Sequence, residues 1–239
     1  MQTFFSFFAL VTLPLLWASA VMAADLPEKH RTVTIEGWNI RIDERLYAKE
    51  QQALRERCEH FLTTKLRDII LVVPEAARLK MQKVTIVLDL SHGNLRPMQY
   101  HPSRQWLKAN GYSPDLEKCV HLPRATDLHT VRNTREQPWV ILHELTHAYH
   151  DQVLSFEEPR IIAAYEQYRK SGRGETALLF NGKKVKHYAL TNHKEFFAEM
   201  TEAYFGSNDF FPFNRAELMT AEPEIYELMK YIWNPPAKK

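Results

Sequence analysis

The stretch "WVILHELTHAYHDQVL", residues 139–154, sets two imidazoles, His143 and His147, four positions apart, with the carboxylate of Glu144 between them. On a helix, positions i and i+4 lie on one face a turn apart, so both imidazoles reach a single ion and Glu144 can hold a water beside it. This is the HExxH pattern of zinc sites. A catalytic zinc takes three protein ligands and leaves a fourth position open, so one more ligand is required. The longer HExxHxxGxxH form does not supply it, because His150 stands at the glycine position and Val153 at the last histidine position. A second segment, "TNHKEFFAEMTEAYF", carries Glu195, Glu199 and Glu202 at i, i+4 and i+7, on one helical face. Spacing favours Glu195 as the third ligand, with Glu199 accepting a hydrogen bond from the other ring nitrogen of a ligating histidine. A competing role for Glu195 is local: the third position of a helix that Asn192 caps.

These side chains need rigid carriers. Pro138 suits a first helical turn, and Ile141, Leu142, Leu145, Ala148, Tyr149 and Val153 supply packing faces on either side of the histidine stripe. Phe196, Phe197, Met200, Ala203 and Tyr204 do the same for a helix expected from about Asn192 to Phe205. Upstream, "RTVTIEGWNIRID" alternates apolar residues about Gly37 and reads as two strands and a turn. Helical spacing follows from about Glu44 to Val73, closed by Pro74, and then "KVTIVLDL" and "CVHL" read as strands. Residues 91–118 carry Gly93, Pro97, Pro102, Gly111 and Pro114 and read as irregular connection around a short helix at "SRQWLKAN". A further helix is expected at 159–170, before the turn "SGRG".

The other histidines receive quieter roles. His150 lies two turns beyond His143, too far along the axis to share an ion, and reads as an outer partner or a surface residue. His193 reads as solvated and His187 as a surface or cleft residue, while His92, His101 and His121 fall in the irregular middle and read as either substrate contacts or surface residues.

With 239 residues, 45% hydrophobic and 25% charged, the chain supports one α+β domain with a substantial core, spanning residues 24–239. A net charge of +2, from 31 basic and 29 acidic residues that are interspersed, leaves no electrostatic footprint for nucleic acid. Residues 4–24 are uncharged and end in small residues, so residues 1–23 read as an export signal cut near Ala23. The expected location is then secreted or periplasmic, with no stable membrane association; an uncut anchor is the alternative. Cys58 and Cys119 can form one disulfide or remain two buried thiols.

"HELTHAYHDQVL" together with "YALTNHKEFFAEMTEAYFGSNDFFPF" resembles the gluzincin metallopeptidase domain of the anthrax lethal factor family, and its secreted bacterial members most of all. That family places a tyrosine seven residues before a Glu-Phe-Phe-Ala-Glu pattern, and here Tyr188 precedes Glu195-Phe196-Phe197-Ala198-Glu199 by the same interval. The resemblance runs from about Trp139 to Phe205. It implies a zincin-like fold with a small mixed sheet, and Zn2+ held by His143, His147 and Glu195. It also implies Glu144 as general base and Tyr188 as a hydrogen-bond donor to the transition state. The implied partner is a peptide or protein substrate lying along an edge strand, for which "KVTIVLDL" and "CVHL" are the candidates. The toxin's recognition and carrier-binding domains have no counterpart in this chain. The expected activity is that of an exported zinc endopeptidase. A cell-wall peptide hydrolase and a zinc-containing peptide-binding module without turnover are the alternatives, and a pure binder has no need of the base Glu144.

Overall fold

Alternating apolar residues start the fold. In the computed structural model, which describes residues 26–93, 95 and 98–235, β1 (His30–Ile35) and β2 (Trp38–Asp43) pair antiparallel in the register Ile35 to Trp38. Glu36 and Gly37 turn the chain with φ of 50° and 87°, the left-handed pair that a two-residue hairpin requires. The expected export signal, residues 1–23, lies outside the described residues.

The strands expected at 83–90 and 119–122 form, shortened to β3 (Ile86–Leu88) and β5 (Val120–Leu122). They run parallel to β2 and to each other, and β4 (Gln99–Tyr100) pairs antiparallel with β5, giving the order β1-β2-β3-β5-β4. Both candidate edge strands are therefore interior. The edges are β1 and β4, and β4 is two residues inside the stretch that reads as irregular, where too few residues exist to show an alternation.

Strand alternation divides the two faces of the sheet. Ile40, Ile42, Ile86, Leu88, Val120 and Leu122 join the main core beneath α1 (Gln52–Val72), α2 (Glu75–Met81) and α4 (Val140–Tyr149). On the opposite face, Val87 packs with Leu107, Leu116 and Cys119 under α3 (Arg104–Ala109). The α1 helix starts later than Glu44 because residues 44–51 wind as tighter 3-10 turns, the first of them capped by Asp43, which accepts from the Arg45 N–H.

Beyond α4 come a wide π-helical turn (His150–Leu154), α5 (Pro159–Ser171), a hairpin of β6 (Ala177–Leu178) and β7 (Lys184–Val185), and α6 (His193–Phe205). The chain closes with α7 (Arg215–Ala221) and α8 (Pro223–Trp233). Trp233 of α8 stacks on Phe197 of α6 at 5.6 Å and lies 4.8 Å from the Tyr149 ring of α4, so the last helix locks the two site-bearing helices together. Each such fully buried aromatic contributes about 1.5–3 kcal/mol of transfer free energy. Cys58 and Cys119 are free thiols, buried in separate cores. Among the described residues no helix is long and apolar enough to cross a membrane.

Candidate metal centre

Every residue of α4 is buried except His147, which is half-buried at the cleft, so apolar packing fixes the helix and aims its imidazoles outward. The α6 helix begins opposite. Asn192 Oδ1 accepts the N–H groups of Lys194 and Glu195 at 2.9 and 3.0 Å, which caps the helix and leaves the Glu195 carboxylate free to cross the gap. Its Oε2 lies 3.1 Å from His143 Nε2 and 3.2 Å from His147 Nε2. Glu195 thus occupies the third position of a capped helix and faces both imidazoles at once. A tetrahedral metal with bonds of about 2.0–2.1 Å requires ligand atoms roughly 3.3 Å apart; Glu195 Oε2 stands near that distance from both imidazole nitrogens, and all three ligand atoms lie within 4.8 Å of one another.

The field around the site favours a cation. Burial opposes ionisation of Glu195, but hydrogen bonds from His143 and His147 outweigh it and hold the carboxyl well below the usual range. Burial likewise opposes charge on His143, yet Glu195 and Glu202 draw its proton affinity well above an ordinary imidazole's. Glu144 is buried, and its Oε2 accepts the backbone N–H of Tyr100, on the β4 edge, at 2.8 Å. Its pKa is raised by burial, against the pull of His147 and His143.

The structure reassigns the carboxylate behind His143. Spacing favours Glu199, but His143 Nδ1 lies 2.7 Å from Glu202 Oε1 and 3.7 Å from Glu199 Oε1. Seven residues make 700°, nearly two full turns, so Glu202 stands almost directly in line with Glu195, whereas Glu199 is rotated off that line. Gln137 Nε2 donates to the same Glu202 oxygen at 3.0 Å, and Arg132 donates to Gln137 at 2.9 Å, so the outer chain runs Arg132, Gln137, Glu202, His143. Glu199 is buried between His143 and His187, and burial with the neighbouring Glu202 raises its pKa well above the carboxylate range.

Tyr188 sits in a short 3-10 turn, 47% exposed, with its ring 6.5 Å from that of His143. Burial and the charge of Glu195 raise its pKa, so the phenol keeps its proton and stays a donor at neutral pH. His143, Glu144, His147, Tyr188, Glu195 and Glu199 border one cleft of about 920 Å³, walled by the β4 edge on one side and by Leu179, Phe180 and Phe210 among its other residues.

Three other histidines differ from expectation. His150 is fully buried, edge-on to Phe156 and Phe197, and burial pushes its pKa down to about 3. His187 is buried behind Tyr188, where Nδ1 accepts the Ala189 N–H and the ring stacks on Phe210. His193 donates to the Phe156 carbonyl at 2.8 Å. Sequence reasoning missed the contributions of Tyr100 and Gln137; Glu202 was visible as the last member of the acidic stripe, while a backbone N–H carries no residue-type signal at all.

Comparison with protein-family models, curated proteins and solved structures finds no match to this chain.

Proposed function

We propose that the protein is an exported zinc-dependent endopeptidase of zincin-like architecture, similar to the lethal factor-like gluzincins. The observation that carries this reading is the convergence of His143, His147 and Glu195 ligand atoms within 4.8 Å of one another on the wall of an open cleft, with Glu144 beside them. Those three residues would hold the ion. When bound, it supplies Lewis acidity to the attacking water and to the scissile carbonyl.

The remaining work belongs to the chain's own groups. Glu144, its pKa raised by burial, takes the proton released as water adds to the carbonyl carbon, and delivers it to the amine nitrogen as the C–N bond breaks. Tyr188, protonated and facing the cleft, donates a hydrogen bond to the oxygen on which negative charge develops. The β4 edge offers main-chain groups to an extended peptide, which fixes the scissile bond across the cleft.

The test compares zinc content and cleavage of a mixed peptide library for the wild type, Glu144→Gln and Glu195→Gln. The expected result is zinc in the first two, chelator-sensitive cleavage only in the first, and weakened zinc retention in the third. Cleavage that survives complete removal of metal, or an active Glu144→Gln, would overturn the reading.

A further inference from the structure

On the sheet face opposite Val120 and Leu122, Asp89 is fully buried, and three imidazoles converge on its carboxylate. His30 Nε2 lies 2.7 Å from Oδ1, while His92 Nδ1 and His121 Nε2 lie 2.6 and 2.8 Å from Oδ2. They come from three separate segments: the start of β1, the loop after β3, and β5. Behind them, His101 Nε2 stands 3.1 Å from His121 Nδ1. The catalytic reading above uses none of these residues.

We propose that Asp89, His92 and His121 form a second site for a divalent transition-metal ion of the zinc class, with His30 holding the other oxygen of the Asp89 carboxylate. The ligand atoms of Asp89, His92 and His121 all lie within 4.8 Å of one another, and all three residues are buried. Two imidazoles and one carboxylate suit zinc, copper or nickel, whereas magnesium and calcium prefer oxygen shells. Three protein ligands fill three positions of a tetrahedral shell, which a water can complete, and the burial of all three residues shuts substrate out.

The distances define what loading requires. At 2.6–2.8 Å the imidazoles and the carboxylate sit at hydrogen-bond contact, sharing protons. A bound ion spreads ligand atoms to roughly 3.3 Å apart, so each imidazole retreats by a few tenths of an ångström as the ion takes the place of the protons. The outer geometry is already suitable. With His121 Nδ1–H donating to His101 Nε2, the His121 Nε2 lone pair is free to face the ion. Arg45 adds a fixed frame nearby, bonding both the Asp43 carboxylate and the Ser91 carbonyl next to His92.

The site would act through the sheet. It ties the end of β3 to β5, beside the His30–Asp89 contact that holds the start of β1, and His101 directly follows Tyr100, whose N–H holds Glu144 on the other side of the strand. An ion here braces the edge strand of the cleft without touching the reacting atoms.

The test strips the purified chain of metal, reloads it with zinc, removes excess by gel filtration and measures bound metal. Wild type is expected to hold about two ions per chain, His143→Ala/His147→Ala about one, His92→Gln/His121→Gln about one, and the combined variant none. Wild-type loading in the His92→Gln/His121→Gln protein, or none in His143→Ala/His147→Ala, would overturn the second site and point to a carboxylate held by imidazole N–H groups alone. Failure of the HExxH reading looks different: His143→Ala/His147→Ala would then keep the full wild-type content. Should His92→Gln/His121→Gln not fold, cobalt titration of the folded His143→Ala/His147→Ala chain decides. A tetrahedral cobalt spectrum saturating near one equivalent, with loss of the His92 and His121 imidazole resonances, supports the site, and no uptake overturns it.

Discussion

The three glutamates of α6 share one helical face but do three different things, and geometry sorts them. Glu195 reaches His143 and His147, Glu202 holds the far nitrogen of His143, and Glu199 is buried between two histidines at 3.7 Å or more. A carboxylate hydrogen-bonded to a ligating imidazole fixes its tautomer and raises its basicity, so Glu202→Gln should weaken zinc binding about 10–100-fold in chelator competition. Glu199→Gln should change it far less, because burial and Glu202 already favour the neutral acid, which an amide resembles. Equal losses from the two substitutions would return the role to Glu199. Tyr188 is argued at the same scale. As a transition-state donor worth on the order of 3 kcal/mol, its replacement by Phe should lower kcat about 100-fold or more with KM nearly unchanged. A KM effect with intact kcat would make Tyr188 a binding residue. The sequence displays the acidic stripe but not which carboxylate meets which nitrogen, since that depends on how α6 is rotated and placed against α4.

At the level of elements, the site depends on how closely α4 and α6 approach, and one glycine lies where the end of α6 meets the start of α4. Gly206, just after α6, lies against the indole of Trp139, which precedes the first turn of α4; a Cβ added there would stand 2.0 Å from Trp139 Cε2. The backbone at Gly206 is not left-handed, with φ of −142°, so crowding alone opposes a side chain. Gly206→Ala should push Trp139 aside, destabilise the protein by about 1–3 kcal/mol and lower its melting temperature, and weaken zinc retention through the displaced start of α4. An unchanged melting temperature would show that the indole yields freely. Periodicity made α4 and α6 legible because ten or more residues repeat the same faces. It could not reveal β4, whose two residues owe their strand conformation to pairing with β5, nor that the stronger strand signals at 83–90 and 119–122 belong in the middle of the sheet.

For the molecule as a whole, the apolar core encloses an unusual number of imidazoles, and that couples stability to pH. His150 and His187 are buried, and burial pushes both pKa values down to about 3. An unfolded histidine titrates near 6.5. Between these values the unfolded chain binds more protons than the native one, so stability rises with pH through this window, is complete above about 6.5, and is lost as pH falls toward 3. Each such group contributes a slope of about 1.4 kcal/mol per pH unit. His150 is the clearer probe, because neither ring nitrogen has a hydrogen-bond partner and its neighbours Phe156 and Phe197 would accept an aliphatic side chain. His150→Leu should therefore leave stability near pH 7 within about 1–2 kcal/mol and flatten the acid limb of a urea-denaturation series by one group's slope. Measured on metal-free protein, the comparison separates this effect from proton competition at the ligands. An acid limb as steep in His150→Leu as in the wild type would mean that His150 gains its proton without unfolding, and that the packing of α4 on α6 opens to water below neutral pH.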